Sequence, residues 1–405
     1  MSISVPAARS PRLFTPSFAF AMLSVHALFI SYNMSLVQVP RSLAGEPAWV
    51  VGLVVGAMGI SGMLTRPLTG VWVDAGSRQR WVRLGAFGNA IAFGGYALGL
   101  GPWPMLAFRL LHGVAMGFFT TALLAIVGNA LPSARRGLGI GLYQSANAAA
   151  QLYAAAAAVW IIGAASMRVA FLVSAAAALV ALAMGMLAGD PQRPAPPPAL
   201  PWRARAWISR PALLPALVFL CVTTPWGAVI AFLPLFTDER GLGNPGLFYT
   251  VVAVSQVASR FSVGWLADRL NATAVVMPAL VLGCAGLLVL ASAHSQTMLL
   301  IAAALYGLGL AATQTSIVAL VVGRTPATGM GASMATYTMA WDVGAVAGGI
   351  GLGLLVEATS NATVFALASV LPVAGAVLFY TRVRERRTVP VEGESGTVYS
   401  AESAP

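Results

Sequence analysis

The sequence predicts an all-α integral membrane protein with twelve transmembrane helices in two pseudo-symmetric six-helix bundles. Three observations lead to this prediction: the composition, the recurrence of apolar stretches of membrane-spanning length, and an internal repeat. Of the 405 residues, 58% are hydrophobic and 9% are charged, and the mean hydropathy is +0.82. A soluble fold cannot cover so much apolar surface with so few polar side chains. We therefore expect lipid to surround the chain.

Twelve stretches are long and apolar enough to cross a bilayer, which requires about 20 mostly apolar residues per helix. The predicted spans are 14–38, 48–72, 82–101, 105–130, 138–162 and 169–188, followed by 212–236, 246–266, 273–293, 297–321, 331–356 and 363–381. The first stretch follows Arg9 and Arg12 as a signal peptide would. It is too long for one and lacks a clear small-residue cleavage site, so we expect an uncleaved first helix.

The same stretches divide the chain into five parts. We predict an N-terminal segment at 1–13, a first bundle at 14–188, a linker at 189–211, a second bundle at 212–381 and a tail at 382–405. Six prolines between residues 191 and 201 interrupt any helix in that part of the linker. The tail is rich in Gly, Ser and Glu and poor in apolar residues, which is typical of a disordered segment.

The arginines predict the orientation in the membrane. On this topology, 19 arginines fall on one side of the bilayer, Arg41, Arg168 and Arg240 fall on the other, and Arg109 lies within a span. Positively charged loops are retained in the cytoplasm. We therefore predict a multi-pass protein of the bacterial inner membrane with both termini and the linker in the cytoplasm.

The two halves repeat at a single offset of 194 residues, without gaps. The matched pairs are Pro40 and Pro234, Arg66 and Arg260, Gly70 and Gly264, Asp74 and Asp268, Gly113 and Gly307, Pro132 and Pro326, Gly137 and Gly331, and Tyr143 and Tyr337. Because six spans separate the copies, both have the same orientation. Parallel six-helix repeats around an axis along the membrane normal are the plan of one large class of transporters.

Three local sequences identify that class. Segment 66–80, RPLTGVWVDAGSRQR, resembles the signature loop between helices 2 and 3 of the major facilitator superfamily, and segment 259–269, SRFSVGWLADR, resembles its second-half copy. Segment 109–117, RLLHGVAMG, is similar to the helix-4 motif of that superfamily. The resemblance covers roughly residues 14–381. It implies the major facilitator fold and a transporter, here of the bacterial proton-coupled efflux type.

The resemblance also implies a conformational gate at the cytoplasmic face. In the family, the acid at the position of Asp74 meets the start of helix 11 and nearby arginines when that face is closed. A carboxylate is favoured there by the free N–H groups and the positive end of the helix. The gate residues implied in this sequence are Gly70, Asp74, Arg78, Arg135, Arg136, Gly264, Asp268 and Arg269.

Ionisable residues inside spans are the candidates for coupling transport to protons. A charge at the bilayer centre costs at least ~2.5–3.5 kcal/mol, so such residues usually have a function. Asp342 is the acid placed well inside a span, and a carboxylate can carry a proton; a structural acid held by hydrogen bonds is the alternative. Arg109 and His112 lie near the outer end of helix 4. The arginine could tune a neighbouring proton site, hold an anionic substrate, or only snorkel to the interface.

Polar and aromatic residues within the spans predict the substrate cavity, because such side chains normally face the bundle interior in lipid. The candidates are Tyr32, Asn33, Gln38, Tyr143, Asn147, Gln151, Trp226, Tyr306, Gln314, Tyr337 and Trp341. The apolar lining with few charges favours a small, poorly charged, partly aromatic or amphipathic organic compound over a sugar or a phosphate ester.

Other functional classes have less support. The formal charge of +11 comes without a basic stripe interleaved with aromatics, so no nucleic-acid partner is predicted. With three histidines, and with Cys221 and Cys284 in apolar runs, we predict no metal site and no cofactor. The sequence shows no nucleophile–base pair at membrane depth that would indicate an enzyme.

The predicted function is export of a small molecule by alternating access, coupled to protons, by a lipid-embedded monomer. A proton-linked uptake permease is the close alternative, and a membrane sensor or scaffold that does not transport is a more distant one.

Overall fold

A computed structural model of the chain describes residues 14–75, 77–130, 136–189, 209–267, 272–325 and 330–383. Those residues form α-helices and two π-helical segments, and they contain no β-strand. The helices are α1 Pro16–Ser42, α2 Ala48–Ala75, α3 Arg78–Ala97, α4 Pro102–Ala130, α5 Arg136–Gln151, α6 Ala154–Ala164, α7 Met167–Ala188, α8 Arg210–Arg240, α9 Pro245–Ala267, α10 Ala272–Ala291, α11 Gln296–Arg324, α12 Met330–Val346, α13 Leu352–Ala358, α14 Asn361–Ala368 and α15 Val370–Leu378. The π-helical segments are Ala347–Gly351 and Phe379–Val383.

Within the described residues, ten helical segments are long and apolar enough to cross a membrane. They are Pro16–Ser42, Ala48–Thr65, Pro102–Val127, Ser145–Ala164, Met167–Ala188, Arg210–Arg240, Ala272–Ala291, Gln296–Arg324, Thr336–Ala358 and Asn361–Val383. The predicted spans 82–101 and 246–266 fall on the further long helices α3 and α9. The all-helical membrane fold is therefore confirmed, while the count of twelve stays a prediction.

The surface of this bundle is apolar and its interior carries polar groups. Large apolar side chains such as Trp160 and Val281 are 72% and 62% exposed, whereas Asn89 and Arg109 are 0% and 1% exposed. In water this distribution would be unfavourable. In lipid it is the favourable one, because apolar chains face apolar solvent and polar groups find partners inside.

Serine side chains start several helices at one end of the bundle. Ser166 accepts a hydrogen bond from the N–H of Val169 at 3.2 Å, and Ser360 accepts one from the N–H of Thr363 at 3.1 Å. These caps satisfy N–H groups that have no partner inside their own helix. Ser166 and Ser360 are 194 residues apart, so the two caps are equivalent under the repeat offset.

Close contacts between helices also recur at that offset. A Cβ at Gly113 on α4 would lie 2.5 Å from the carbonyl oxygen of Met58 on α2. A Cβ at Gly307 on α11 would lie 3.0 Å from the carbonyl oxygen of Val252 on α9. Gly307 follows Gly113 by 194 residues, and Val252 follows Met58 by the same number. Each glycine thus permits the same close crossing of two helices.

Two helical spans are irregular at equivalent positions. The predicted span 138–162 is divided into α5 and α6 by a turn at Leu152 and Tyr153, where the carbonyl oxygen of Leu152 accepts a hydrogen bond from Thr250 at 2.6 Å. In the predicted span 331–356, the π-helical segment begins at Ala347. That residue and Tyr153 are 194 apart. Irregular backbone is tolerated at membrane depth where it is buried in protein and its polar groups are bonded.

Candidate substrate cavity

A cavity of about 620 Å³ lies halfway along the bundle. Its wall is formed by residues near the middle of α1, α2, α4, α8, α9 and α11 and by the last turns of α5 and α12. Ligand pockets for small molecules typically occupy ~300–1,000 Å³. The cavity is therefore large enough to enclose a small organic compound.

Most residues of the cavity wall form pairs that are 194 positions apart in the sequence, the offset of the repeat. The related pairs are Tyr32 and Trp226, Asn33 and Gly227, Leu36 and Ile230, Gly62 and Gln256, Thr120 and Gln314, Asn147 and Trp341, Ala148 and Asp342, and Gln151 and Ala345. Both members of each pair line the cavity. The cavity thus lies between the two halves, where the equivalent faces of the two copies meet.

Seven of the eleven predicted cavity residues line this space. They are Tyr32, Asn33, Asn147, Gln151, Trp226, Gln314 and Trp341. Asn147 and Gln151 project from the same face of α5, as their spacing of four residues requires. The wall also includes residues that the sequence did not single out, among them Phe29, Met58, Met116, Thr120 and Gln256. The place of Gln256 in the cavity could have been predicted, because it is a polar residue in the middle of a predicted span.

The other four candidates lie outside the cavity wall, which differs from the prediction. Gln38 donates to the carbonyl oxygen of Ala170 at 2.9 Å and so joins α1 to α7. The hydroxyl of Tyr306 donates to the carbonyl oxygen of Val222 at 2.8 Å, and Tyr337 stacks on Phe219 with ring centroids 4.9 Å apart.

Tyr143 is 4% exposed and belongs to the core between the first-half helices. All four side chains thus pack between helices instead of facing the open space.

Asp342 lines the cavity from α12. It is 8% exposed, and it faces α2 at a point where glycine leaves room, since a Cβ at Gly62 would lie 3.3 Å from its Oδ1. Its equivalent in the first half is Ala148, so the carboxyl group breaks the symmetry of the wall. A protonatable group in this position borders both the cavity and the contact between the two halves.

Arg109 lines the cavity from α4 and is 1% exposed. Its Nη1 lies 3.4 Å from the Ser35 hydroxyl and 3.4 Å from Nδ1 of His112. His112 is fully buried behind it and contacts the Tyr96 hydroxyl at 3.2 Å. The structure therefore places Arg109 and Asp342 in one cavity and His112 outside it. The proton-coupling roles of all three stay predictions.

One end of the bundle, which we name the closed end, carries loops 43–47, 98–101, 165–166, 241–244, 292–295 and 359–360. There the two halves touch through backbone. A Cβ at Gly52 would lie 2.8 Å from the carbonyl carbon of Gly349, and one at Gly246 would lie 2.5 Å from that of Ala155. These two contacts are again related by the offset of 194. They bring α2 against the π-helical segment and α9 against α6.

Polar contacts add to this closure. Arg41 at the end of α1 forms an ion pair with Asp238 at the end of α8, and Asn244 donates to the carbonyl oxygen of Ala156 at 3.5 Å. Each joins the first half to the second. These contacts hold the two halves together at the closed end.

The predicted gate residues that the structure describes lie at helix ends on the opposite end of the bundle. Arg78 starts α3 and is 6% exposed. The helical backbone at Gly70, Asp74, Arg136 and Gly264 is described without a side-chain environment, and Arg135, Asp268 and Arg269 lie outside the described residues. The gate therefore stays a prediction.

No cluster of three or more His, Cys, Asp or Glu side chains that could hold a metal ion occurs in the parts of the chain that the structure describes. Cys221 and Cys284 are both free thiols. The cavity wall itself offers hydrogen-bonding side chains, aromatic surfaces and two charged residues.

The family model for the Major Facilitator Superfamily matches residues 13–349 and 246–402. The chain belongs to the major facilitator superfamily. Members of this superfamily are transporters and not enzymes. For this major facilitator protein, the cavity at the meeting of two equivalent halves is therefore the candidate substrate site.

One relative of this major facilitator protein is a bacterial export protein of low sequence identity. The Staphylopine export protein of Staphylococcus aureus (strain Mu50 / ATCC 700699) is 27% identical over 226 residues, which cover 54% of this chain and 57% of that protein. This chain therefore matches little more than half the length of that relative.

Solved structures share the fold at lower identity. The nucleoside transporter NupG has a TM-score of 0.74 at 15% identity, covering 90% of this chain and 99% of that one. A POT family transporter in complex with 5-aminolevulinic acid has a TM-score of 0.76 at 10% identity, covering 90% and 95%.

Proposed function

We propose that this protein is a secondary active transporter that exports a small organic compound across the bacterial inner membrane by alternating access, coupled to protons. The observation that carries the proposal is the cavity at mid-depth whose wall is built from equivalent positions of two repeats. Repeats that meet at a midplane site can rock about it and open it to one side at a time. The two halves are then the six-helix bundles 14–188 and 212–381, which together supply twelve spans.

Arginine distribution supports the orientation. The closed end carries Arg41, Arg168 and Arg240, and the predicted topology assigns 19 arginines to the other side of the membrane. By the positive-inside rule, the closed end faces outward. The conformation described here is then one that is shut toward the periplasm, and the gate built on Asp74 and Asp268 acts on the cytoplasmic side.

The direction of transport is inferred from the export activity in the name of the Staphylococcus relative. The lining suits a small organic compound, since Trp226 and Trp341 offer aromatic surface and Gln256 and Gln314 offer amide hydrogen bonds. The fold alone does not determine the direction of transport. The direction is tested by transport measurements in vesicles of known protein orientation.

Asp342 is the proposed proton carrier. Its carboxyl group lies in the cavity wall and against α2. A bound substrate can therefore contact it, and movement of one half relative to the other changes its surroundings. Protonation removes a charge that costs at least ~2.5–3.5 kcal/mol at membrane depth. The substrate and the proton compete for Asp342, so binding of one excludes the other. The transporter then exchanges protons for substrate.

Proteoliposomes loaded with a fluorescent pH indicator test this proposal. We expect compounds from a chemically diverse panel to move protons in the direction opposite to their own, and we expect Asp342→Asn to abolish gradient-driven transport while substrate binding stays measurable by thermal shift. Asn keeps the shape of the side chain and cannot carry the proton. Transport by the Asp342→Asn protein that still follows an imposed pH gradient would contradict the assignment.

A further inference from the structure

Arg109 is a buried cation with unused hydrogen-bonding capacity. Its guanidinium has five N–H donors. Nη1 has long contacts of 3.4 Å to Ser35 and to His112, and Nε is buried without a hydrogen-bond partner among the described residues. A buried charged donor that lacks an acceptor is strongly unfavourable. Since Arg109 lines the cavity, an acceptor bound in the cavity can supply what the protein does not.

The groups behind Arg109 carry no negative charge. Arginine can only donate, so Nδ1 of His112 must accept the contact from Arg109, and it lies 3.2 Å from the Tyr96 hydroxyl as well. The proton of this imidazole is then on Nε2, and the ring is neutral. Ser35, Tyr96 and His112 therefore orient the guanidinium without neutralising it.

The second charge in the cavity wall lies on another helix. Asp342 meets α2 at Gly59 and Gly62, whereas α4 meets α2 through Gly113. Arg109 and Asp342 thus flank α2 from two sides, and they are the two charged residues among the described residues that line the cavity. The cavity has a positive pole and a negative pole, separated on the order of one helix diameter of ~10 Å.

The repeat emphasises these two residues. Their equivalents in the opposite half, 194 positions away, are Ala303 for Arg109 and Ala148 for Asp342. Most other wall positions pair with another wall position, often polar or aromatic on both sides. The two charged residues therefore stand at positions where the two halves differ. They make an otherwise symmetric cavity electrostatically asymmetric.

We infer that the transported compound is a small zwitterion whose carboxylate binds the guanidinium of Arg109 and whose amine faces Asp342. Planar guanidinium matches a carboxylate through two parallel hydrogen bonds, a geometry that lysine does not offer. The amides of Asn147, Gln151 and Gln314 line the space with both donors and acceptors, and Trp341 provides an apolar surface beside the amine. This inference rests on the proposed transport function and adds the substrate class.

The test uses the purified full-length chain and matched probes. The panel contains amino acids and dipeptides with aromatic side chains, each as the free zwitterion, the methyl ester and the N-acetyl acid, and binding is measured by thermal shift. We expect free zwitterions to stabilise the protein, with roughly 10- to 100-fold weaker binding after esterification or after Arg109→Gln, because a charge-assisted pair is lost. Arg109→Gln should also lose the preference for acid over ester.

Two variants serve as controls. Arg168→Gln removes an exposed arginine at the closed end and should bind all probes like the unaltered protein. Arg109→Lys keeps the charge without the planar fork, so it should retain part of the affinity if Arg109→Gln fails to fold. The inference is overturned if esters bind as well as acids, if Arg109→Gln binds acids normally, or if no free acid stabilises the protein.

The proposed function can fail separately. Vesicles that transport cations or neutral compounds but no zwitterion would overturn the substrate class and leave alternating access intact. Vesicles that take up or release no compound of any class would count against transport itself.

Discussion

Replacing Gly52 by alanine tests whether the glycine contacts hold the closed end shut. A Cβ there would overlap the carbonyl oxygen of Gly349 and would lie 2.8 Å from its carbonyl carbon and 3.4 Å from Cζ of Phe232. The obstructing atoms belong to backbone, so no side chain can rotate away. Favourable contact needs about 3.5–4.0 Å between carbon atoms, so the two helices must separate by on the order of 1 Å.

The size of the effect follows from this overlap. Overpacking of this kind costs ~1–3 kcal/mol. The cost applies to the conformation in which α2 and the π-helical segment touch, and it disappears when the two halves part. Gly52→Ala should therefore shift the population toward the state open at the closed end by roughly 5- to 150-fold. Gly246→Ala should act in the same direction, because its Cβ would meet Ala155 in the equivalent contact.

Cysteine accessibility measures the shift. A single cysteine at Leu36, which lines the cavity from α1, is introduced after removal of Cys221 and Cys284, and a membrane-impermeant maleimide is added from the periplasmic side. The matched control is Gly94→Ala, where an added Cβ has nothing within 4 Å. Equal labelling rates for Gly52→Ala and Gly94→Ala would refute the reasoning.

Two further predictions concern contacts across and within the halves. Arg41→Ala and Asp238→Ala should each lower the free energy of unfolding by no more than ~1 kcal/mol and should couple in a double-mutant cycle, because the pair is partly exposed at 17% and 44%; additive effects would show that the ion pair contributes nothing. Gly113→Ala and Gly307→Ala should each destabilise the protein by ~1–3 kcal/mol in thermal unfolding, since both would push a Cβ into the backbone of a neighbouring helix; a loss at one site alone would contradict the equivalence of the two crossings.

Much of the cavity could be predicted from sequence because lipid forces polar side chains inward. Asn147, Gln151 and Gln314 are polar residues in apolar spans, and all three line the space. The same rule fails to separate the cavity from other buried surfaces. Asn33 and Gln38 lie on one helix, but five residues turn the chain by about 140° around the axis, so Gln38 faces α7 and bonds to Ala170.

The break between α5 and α6 had no local signal in the sequence. The turn at Leu152 and Tyr153 contains neither proline nor glycine. The carbonyl oxygen of Leu152 accepts a hydrogen bond from Thr250 of α9, which is about 100 residues away in sequence. The closed end is similar, since Gly52 alone does not reveal that Gly349 will face it. Such features arise from tertiary contacts between the halves, and the repeat offset is the part of the sequence that relates them.

Pairs of spin labels at the two ends test alternating access most directly. One pair joins Glu46→Cys in loop 43–47 to Ala358→Cys at the end of α13, and the other joins Arg83→Cys on α3 to Val322→Cys near the end of α11; all four sites are exposed. When pH or substrate shifts the conformation, the first distance should lengthen while the second shortens. Distances that stay fixed at both ends, or that change with the same sign, would contradict a cavity that opens to one side at a time.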